Sequence, residues 1–402
     1  MNKELLIIDG SSLLSTCFYA TAREFLMAKT PEDKEKAAER LLQTSTGVYT
    51  NGVYTFMKTL LNMIEKQKPS HLAVVWDVSR ATFRKDISSD YKGNRKATPK
   101  PLSQQFITTQ NLLKGIIPQF MSSVDDEVLY EADDFAGTLA KKFEKSIPVV
   151  LYTKDVDYLQ LVSDNTRVWL GTNKADDLYQ ELGMDIKEFN IPAGTFEYTL
   201  TTIKDVEDLF PYQIIEYKAL SGDSADNIPG VKGIGDKASI PLLNEYGDIE
   251  TIYEVIEDLD KKEEKELKKF FKEALGISRS PIATLLKEGT IGLDNGETLT
   301  YKCIKEAVTD EEKETQELIE SKFGKPRFPI AITSEDGLNK LREHDVYAVD
   351  YSAKESAFIS KELATIKTDI EFECGLEDLK LNLDKEELKK RLLELEIKSL
   401  IK

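Results

Sequence analysis

"ELLIID", residues 4–9, is an unbroken apolar run closed by Asp9. It has no alternation of polar and apolar residues, so it reads as a short strand covered on both faces. Two further segments have the same form. "HLAVVWD", residues 71–77, closes on Asp77, and "IPVVLYTKDVD", residues 147–157, runs into Asp155 and Asp157. Helical patterns lie between them, such as "GVYTFMKTLLNMIEKQ" (52–67) and "DDFAGTLAKKFEK" (133–145). Apolar strands alternating with helices predict an α/β fold with a largely parallel sheet flanked by helices. In such sheets ligands bind outside the carboxyl ends of the strands. Each of these strands ends in aspartate.

The chain has 402 residues, enough for two or three domains. Its formal net charge of −18 argues against a nucleic-acid binder only weakly, because local patches decide binding. Three scattered cysteines (Cys17, Cys303, Cys374) fit neither a disulfide framework nor a zinc site, and with only His71 and His344, histidine-pair chemistry is improbable. The N-terminal apolar run is too short for a signal peptide, and no segment approaches a membrane span. The expectation is a soluble, cytoplasmic monomer that does not engage membranes.

Residues 24–44 read as a polar helical insertion. From about 205 the chain turns helical, and "DLDKKEEKELKKF" (258–270) is a charge run typical of a solvated helix face. Residues 271–354 change character again, with glycine-containing turns and strand-like runs such as "DVYAVDY" (345–351).

"YEADDFAGTL" brings Glu131, Asp133 and Asp134 to the start of a helix. A lone acid there is an ordinary partner of the helix dipole. Added to Asp9, Asp77, Asp155 and Asp157, it makes seven carboxylates for one sheet edge, which would repel and raise one another's pKa values. Divalent cations remove that problem. Oxygen donors without Cys or His indicate a hard ion, magnesium or manganese. Two such ions about 4 Å apart are a standard device for in-line phosphodiester cleavage.

Residues 79–100, "SRATFRKDISSDYKGNRKATPK", carry seven Lys/Arg against two Asp, with Phe83 and Tyr91 interleaved. Aromatics among positive charges suit bases and phosphates. The segment follows Asp77 directly, so Arg84, Lys92 and Arg95 are candidates to neutralise phosphate near a scissile bond, with Tyr91 as a stacking candidate.

"GDSADNIPGVKGIGDK", residues 222–237, has Asp223 and Asp226 just before Gly230, Gly233 and Gly235. No GK[ST] follows, so it is not a nucleotide phosphate loop. Its context is helix, glycine hairpin, helix. Such a turn lets backbone N–H groups, with Lys232 and Lys237 beside them, approach a DNA phosphate at a helix N-terminus.

This stretch resembles the helix–three-turn–helix signature of the bacterial 5′-nuclease family, which includes flap endonucleases, phage 5′-exonucleases and the N-terminal nuclease domain of DNA polymerase I. "LLIIDGSSL", "VVWDVSRATFR", "YKGNR", "YEADDFAGTLA" and "LYTKDVDYLQL" resemble the family's other motifs, in the family's order. The resemblance implies a PIN-like catalytic domain over 1–204 with a helical arch near 79–115. It implies a helix–three-turn–helix DNA-binding domain over 205–261 and 355–402. Residues 262–354 then stand as an insertion, strongly acidic at 306–320 and expected to face a protein partner.

The resemblance assigns one metal site to Asp9, Asp77, Glu131, Asp133 and Asp134. It assigns a second to Asp155, Asp157 and Asp226, with Asp223 nearby. Arg84 and Lys92 match basic residues of the arch that face the scissile phosphate. The glycine hairpin matches a duplex-binding turn that holds a monovalent cation, potassium, against the DNA backbone. Pro241, early in the following helix, would remove a backbone donor and bend the hairpin's exit. The implied activity is that of a metal-dependent 5′-3′ exonuclease and flap endonuclease, serving RNA-primer removal, DNA replication and repair. Its substrate would be flapped, nicked or 5′-ended DNA, including RNA–DNA hybrids. Two other readings stay open. One is a catalytically silent protein that holds branched DNA, which the intact carboxylate set disfavours. The other is a small PIN-like ribonuclease, which the hairpin and basic segment disfavour.

Overall fold

In the computed structural model, which describes residues 2–79, 81–188, 190–256, 259, 261–277, 281–332 and 334–401, the run after Glu4 is the centre of a six-stranded sheet. Its strands are β1 (Asn2–Asp9), β2 (Pro69–Val75), β3 (Gln119–Phe120), β4 (Val149–Thr153), β5 (Thr166–Gly171) and β6 (Thr195–Tyr198). The order is β3-β2-β1-β4-β5-β6, parallel throughout except for β6, which runs antiparallel to β5. In register, Asp9 lies opposite Val75 of β2, and Ile8 lies opposite Tyr152 of β4. The aspartates that follow therefore emerge from one edge. The chain moves to one side of β1 for β2 and β3, then to the other side for β4. That reversal is the switch point where a crevice opens at strand ends.

The absence of alternation in β1 is explained by cover on both faces. Leu6, Ile8, Leu72 and Val74 pack with Leu14 and Phe18 of helix Gly10–Thr21 and with Phe56 and Leu60 of helix Asn51–Gln67. Leu5, Ile7, Ala73 and Val75 are equally buried, and helix Ala132–Phe143 packs against β1, β2 and β4. The polar stretch 24–44 contains helices Arg23–Met27 and Pro31–Glu39. The basic segment forms one helical turn, Arg84–Ile87. Turns and irregular chain follow until helix Lys100–Leu113, so the described residues between Ile87 and Lys100 form no helix.

The chain divides into two units. The first comprises the residues up to Asp86, Arg95–Pro211 and the chain from Ile366 onward; the second comprises Ile87–Asn94 and Tyr212–Thr365. In the first, helix Lys385–Glu394 docks on helix Lys100–Leu113, where Arg391 donates to the carbonyls of Asn111, Leu112 and Lys114.

The second unit contains helices Gln213–Ser221, Asp236–Tyr246, Ile249–Ile256 and Ala353–Ala364. Between the last two come helices Lys261–Glu273 and Pro281–Leu285, then a four-stranded antiparallel sheet. Its strands are β7 (Gly289–Leu293), β8 (Thr298–Cys303), β9 (Ile330–Ile332) and β10 (Val346–Asp350), in the order β10-β7-β8-β9. It has a core of its own, including Ile291, Leu299, Tyr301, Ile319, Ile330 and Leu341. No described helix is long and apolar enough to cross a membrane.

Candidate active site

Asp9 ends β1 and caps helix Gly10–Thr21. Its Oδ1 accepts from the Ser12 amide at 2.9 Å and its Oδ2 from Thr153 Oγ1 at 2.8 Å. That second bond ties the carboxyl ends of β1 and β4. Asp77 lies two residues past β2, accepts from the Ala132 amide at 2.8 Å and donates its own amide to Ser11 Oγ. Asp155 accepts from the Asp157 amide at 3.0 Å and donates its amide to Thr153 Oγ1. Asp157 is buried. Asp133, at the start of helix Ala132–Phe143, accepts from the Asp134 amide at 2.8 Å.

Two groups register the combined charge. Asp9 is pushed up to about 7, first by burial and then by the neighbouring carboxylate of Asp77, with Asp155 adding to it. Tyr158 is buried, and its hydroxyl has no hydrogen-bond partner among the described residues. Its ionisation is pushed well up by burial, then by the negative charges of Asp9, Asp133, Asp77 and Asp155. Side chains from β1, the ends of β2 and β4 and one helix thus bear on one point. As the side chains stand, no group of three or more His, Cys, Asp or Glu among the described residues forms a set that could hold a metal ion. The donor chemistry still fits a hard divalent cation: all donors are oxygen, and like charges crowd a buried hydroxyl that lacks a partner among the described residues.

Glu131 and Asp134 are engaged differently. The Arg84 guanidinium bonds Asp134 twice, Nη1 to Oδ2 and Nη2 to Oδ1, both at 2.8 Å. It also lies 3.7 Å from Glu131 Oε2, while Thr82 Oγ1 donates to Glu131 Oε1 at 3.0 Å. Arg84 is 1% exposed and Asp134 0%. Arg84 was expected to face a phosphate; instead it is turned into the protein, because three carboxylates some 50 residues away in sequence, Asp133, Asp134 and Glu131, favour its charge there.

In the second unit, Tyr91 was expected to stack on bases. It is instead a core residue, 2% exposed and packed with Ile228, Ile359 and Leu363, because its ring completes an apolar cluster that the helices leave open. Lys92 sits at φ +52°, with Nζ 3.5 Å from Asp226 Oδ2 and its amide donating to the Asp226 carbonyl. Asp223 accepts from buried Lys218 at 2.7 Å and from the Ala225 amide at 2.8 Å. Burial raises its pKa, but Lys218 and the Ala225 and Asp226 amides together outweigh that, and the net shift is downward.

The hairpin is closed by paired bonds between Asp223 and Ile228. Gly230 is buried, with φ +61°, and its amide donates to Ser360 Oγ at 2.9 Å. A Cβ there would lie 2.2 Å from the Gly222 nitrogen, so this glycine serves the fold of the hairpin. Lys232, Gly233, Gly235 and Lys237 are exposed, as is Arg95 in the first unit. Gly235 precedes helix Asp236–Tyr246, which runs on through Pro241.

Thr153, Tyr158 and Lys218 were not foreseen. Thr153 and Tyr158 lie within the strand-end motif, but neither carries a charge to mark it. Lys218 precedes Asp223 by five residues on a helix whose burial the sequence does not reveal.

Residues 4–188 match the family model described as "5′-3′ exonuclease, N-terminal resolvase-like domain", and residues 209–302 match "5′-3′ exonuclease, C-terminal SAM fold". The chain is 35% identical over 260 residues to a 5′-3′ exonuclease of Bacillus subtilis, covering 64% of this chain and 74% of that protein. The chain belongs to the 5′-3′ exonuclease family. As a family member it is a nuclease built on a resolvase-like α/β domain joined to a helical one. It is also 34% identical over 290 residues to DNA polymerase I of B. subtilis, a match spanning 72% of this chain but only 28% of the polymerase. A structure of T5 5′-exonuclease with divalent metal ions (zinc) bound is similar at 22% identity and a TM-score of 0.45, covering 70% of this chain and 88% of that one. The first family match holds Asp9 through Asp157. The second holds the hairpin and extends past helices Lys261–Glu273 and Pro281–Leu285 into β8.

Proposed function

We propose that this member of the family hydrolyses DNA phosphodiesters near 5′ ends, flaps and nicks, and that it requires magnesium or manganese. The observation that carries the reading is the set of four carboxylates, Asp9, Asp77, Asp133 and Asp155, whose charges bear together on buried Tyr158 at the carboxyl edge of the sheet. Asp9, Asp77, Asp133 and Asp155 would hold the metal, with Glu131 and Asp157 beside them. When bound, such ions supply a water of lowered pKa and offset charge on the attacking and leaving oxygens.

The remaining work belongs to the chain. Thr153 and Ser12 hold Asp9 in one orientation, and the Ala132 amide holds Asp77. Lys92, paired with Asp226 in the chain alone, and exposed Arg95 are each proposed as cations for substrate phosphates. The exposed backbone at Gly233 and Gly235, flanked by Lys232 and Lys237, suits a phosphate of the duplex, with potassium as the proposed bridging ion. RNA primers joined to DNA are proposed as further substrates, with roles in DNA replication and repair.

The test is cleavage of a 5′-flap duplex by the full chain, with magnesium and with chelator. Release of 5′ products only when the ion is present is expected. A chain that binds the flap duplex but never cuts it or any 5′-ended duplex, in magnesium or manganese, would instead be a branched-DNA holder.

A further inference from the structure

Asp134 belongs to the carboxylate run that opens helix Ala132–Phe143, yet its bonding differs from that of its neighbours. A carboxylate has about four lone-pair positions. In Asp134 all four are occupied by the protein. Oδ1 accepts from Arg84 Nη2 and from the Lys367 amide, each at 2.8 Å; Oδ2 accepts from Arg84 Nη1 at 2.8 Å and from the Glu131 amide at 3.0 Å. The residue is wholly buried, and the guanidinium on it is almost wholly so. No oxygen position remains for a cation, and the positive charge already there would repel one.

We propose that Arg84 and Asp134 form a positioning pair that sets the orientation of Asp133 and Glu131, rather than acting as a phosphate contact and a metal ligand. This rests on the metal-dependent reading above. The two-armed guanidinium fixes both distance and plane. Through it three stretches of chain meet at one point: Thr82–Arg84, the helix start at Glu131–Asp134, and Lys367. Asp133 lies inside that clamp, its Oδ1 accepting from the Asp134 amide, so the clamp orients its carboxylate. Glu131 is braced by Thr82 and by the edge of the same guanidinium.

The test is calorimetric titration of the full chain with Mn²⁺ alone, without DNA, for the wild type, Arg84→Gln, Asp134→Asn and the double variant. Thermal melting is measured in parallel to confirm folding. Disturbing a partner that orients ligands typically weakens metal affinity about 10- to 100-fold. Each single variant is expected to fall in that range with the number of bound ions unchanged. The double variant should be no weaker than the worse single one, because both remove one pair. Duplex binding in chelator should stay at the wild-type level in all of them. Should Arg84→Gln not fold, Arg84→Lys keeps the buried charge but not the fork and is expected to show the same loss of affinity. Loss of one bound ion in Asp134→Asn alone would make it a ligand and overturn the proposal. Weakened duplex binding with intact Mn²⁺ affinity in either Arg84 variant would overturn it too. A wild type that binds no Mn²⁺ would remove the metal-dependent reading itself, a result separable from any difference between variants.

Discussion

With its carboxyl pushed up to about 7, Asp9 keeps a proton in the folded chain over a range where the unfolded chain, titrating near 3.8, has lost it. The folded state binds more protons there, so stability falls as pH rises from about 4 to about 7 and stays low above that. Asp9→Asn removes the buried charge while retaining an acceptor for Ser12. In chelator at pH 8 it is expected to stabilise the chain by ~2–4 kcal/mol, read as a higher melting temperature, with no gain at pH 4. An unchanged melting temperature at pH 8 would mean that the Asp9 charge is not penalised. The same variant should lose cleavage, the usual trade of stability against function at a strained site. Asp133→Ala should abolish cleavage in magnesium while duplex binding in calcium persists, because the groups proposed to hold DNA lie elsewhere. Robust cleavage by that variant would remove Asp133 from the site.

At the scale of elements, the glycines of the hairpin separate into two kinds. Gly230 has a left-handed φ, and an added Cβ would strike the Gly222 nitrogen and Cα. Gly230→Ala is therefore expected to destabilise the second unit by roughly 1–3 kcal/mol or more, lowering the melting temperature and duplex affinity together. Gly235 has φ −140°, and nothing lies within 4 Å of a Cβ placed there. Gly235→Ala should melt like the wild type, so a loss of duplex binding in that variant would report close approach of a DNA strand to this backbone. Equal melting temperatures for the two variants would contradict this division.

At the scale of the whole molecule, the question is which part of 262–354 is separable. Phe271 packs on Tyr246 at 6.1 Å, and Ile282 and Leu285 are buried. Removing 262–354 entire takes these side chains away and should expose apolar surface at about 25 cal/mol per Å². The antiparallel sheet, by contrast, has its own core, and the chain re-enters where it left: the Ala353 amide donates to the Lys287 carbonyl at 2.9 Å. Replacing 289–350 with a short Gly/Ser linker is expected to leave melting and cleavage near wild type, since closing a short gap has a small entropic effect. The full deletion should melt well below it. Comparable melting of the two truncations would show that helices Lys261–Glu273 and Pro281–Leu285 add nothing to the fold.

The sequence by itself determined the parallel sheet, the edge at which its strands end and the carboxylates there. These are local facts: an unbroken apolar run can be stable only when covered on both faces, and the next residue in the chain must emerge at the strand's end. It also determined that a glycine turn follows two aspartates. What only the tertiary structure decided is which charged and aromatic side chains of that set face outward. Arg84 and Tyr91 have the composition of a phosphate-binding segment. Yet Asp134, 50 residues on, draws the first into a buried ion pair, and Ile228, Ile359 and Leu363 enclose the second. Likewise Gly230 and Gly235 are the same residue in one short turn, and only the backbone packed against Gly230 makes it part of the fold. A side chain's charge is written in the sequence, whereas its partner, and with it the choice between water, substrate and core, depends on segments brought together by folding.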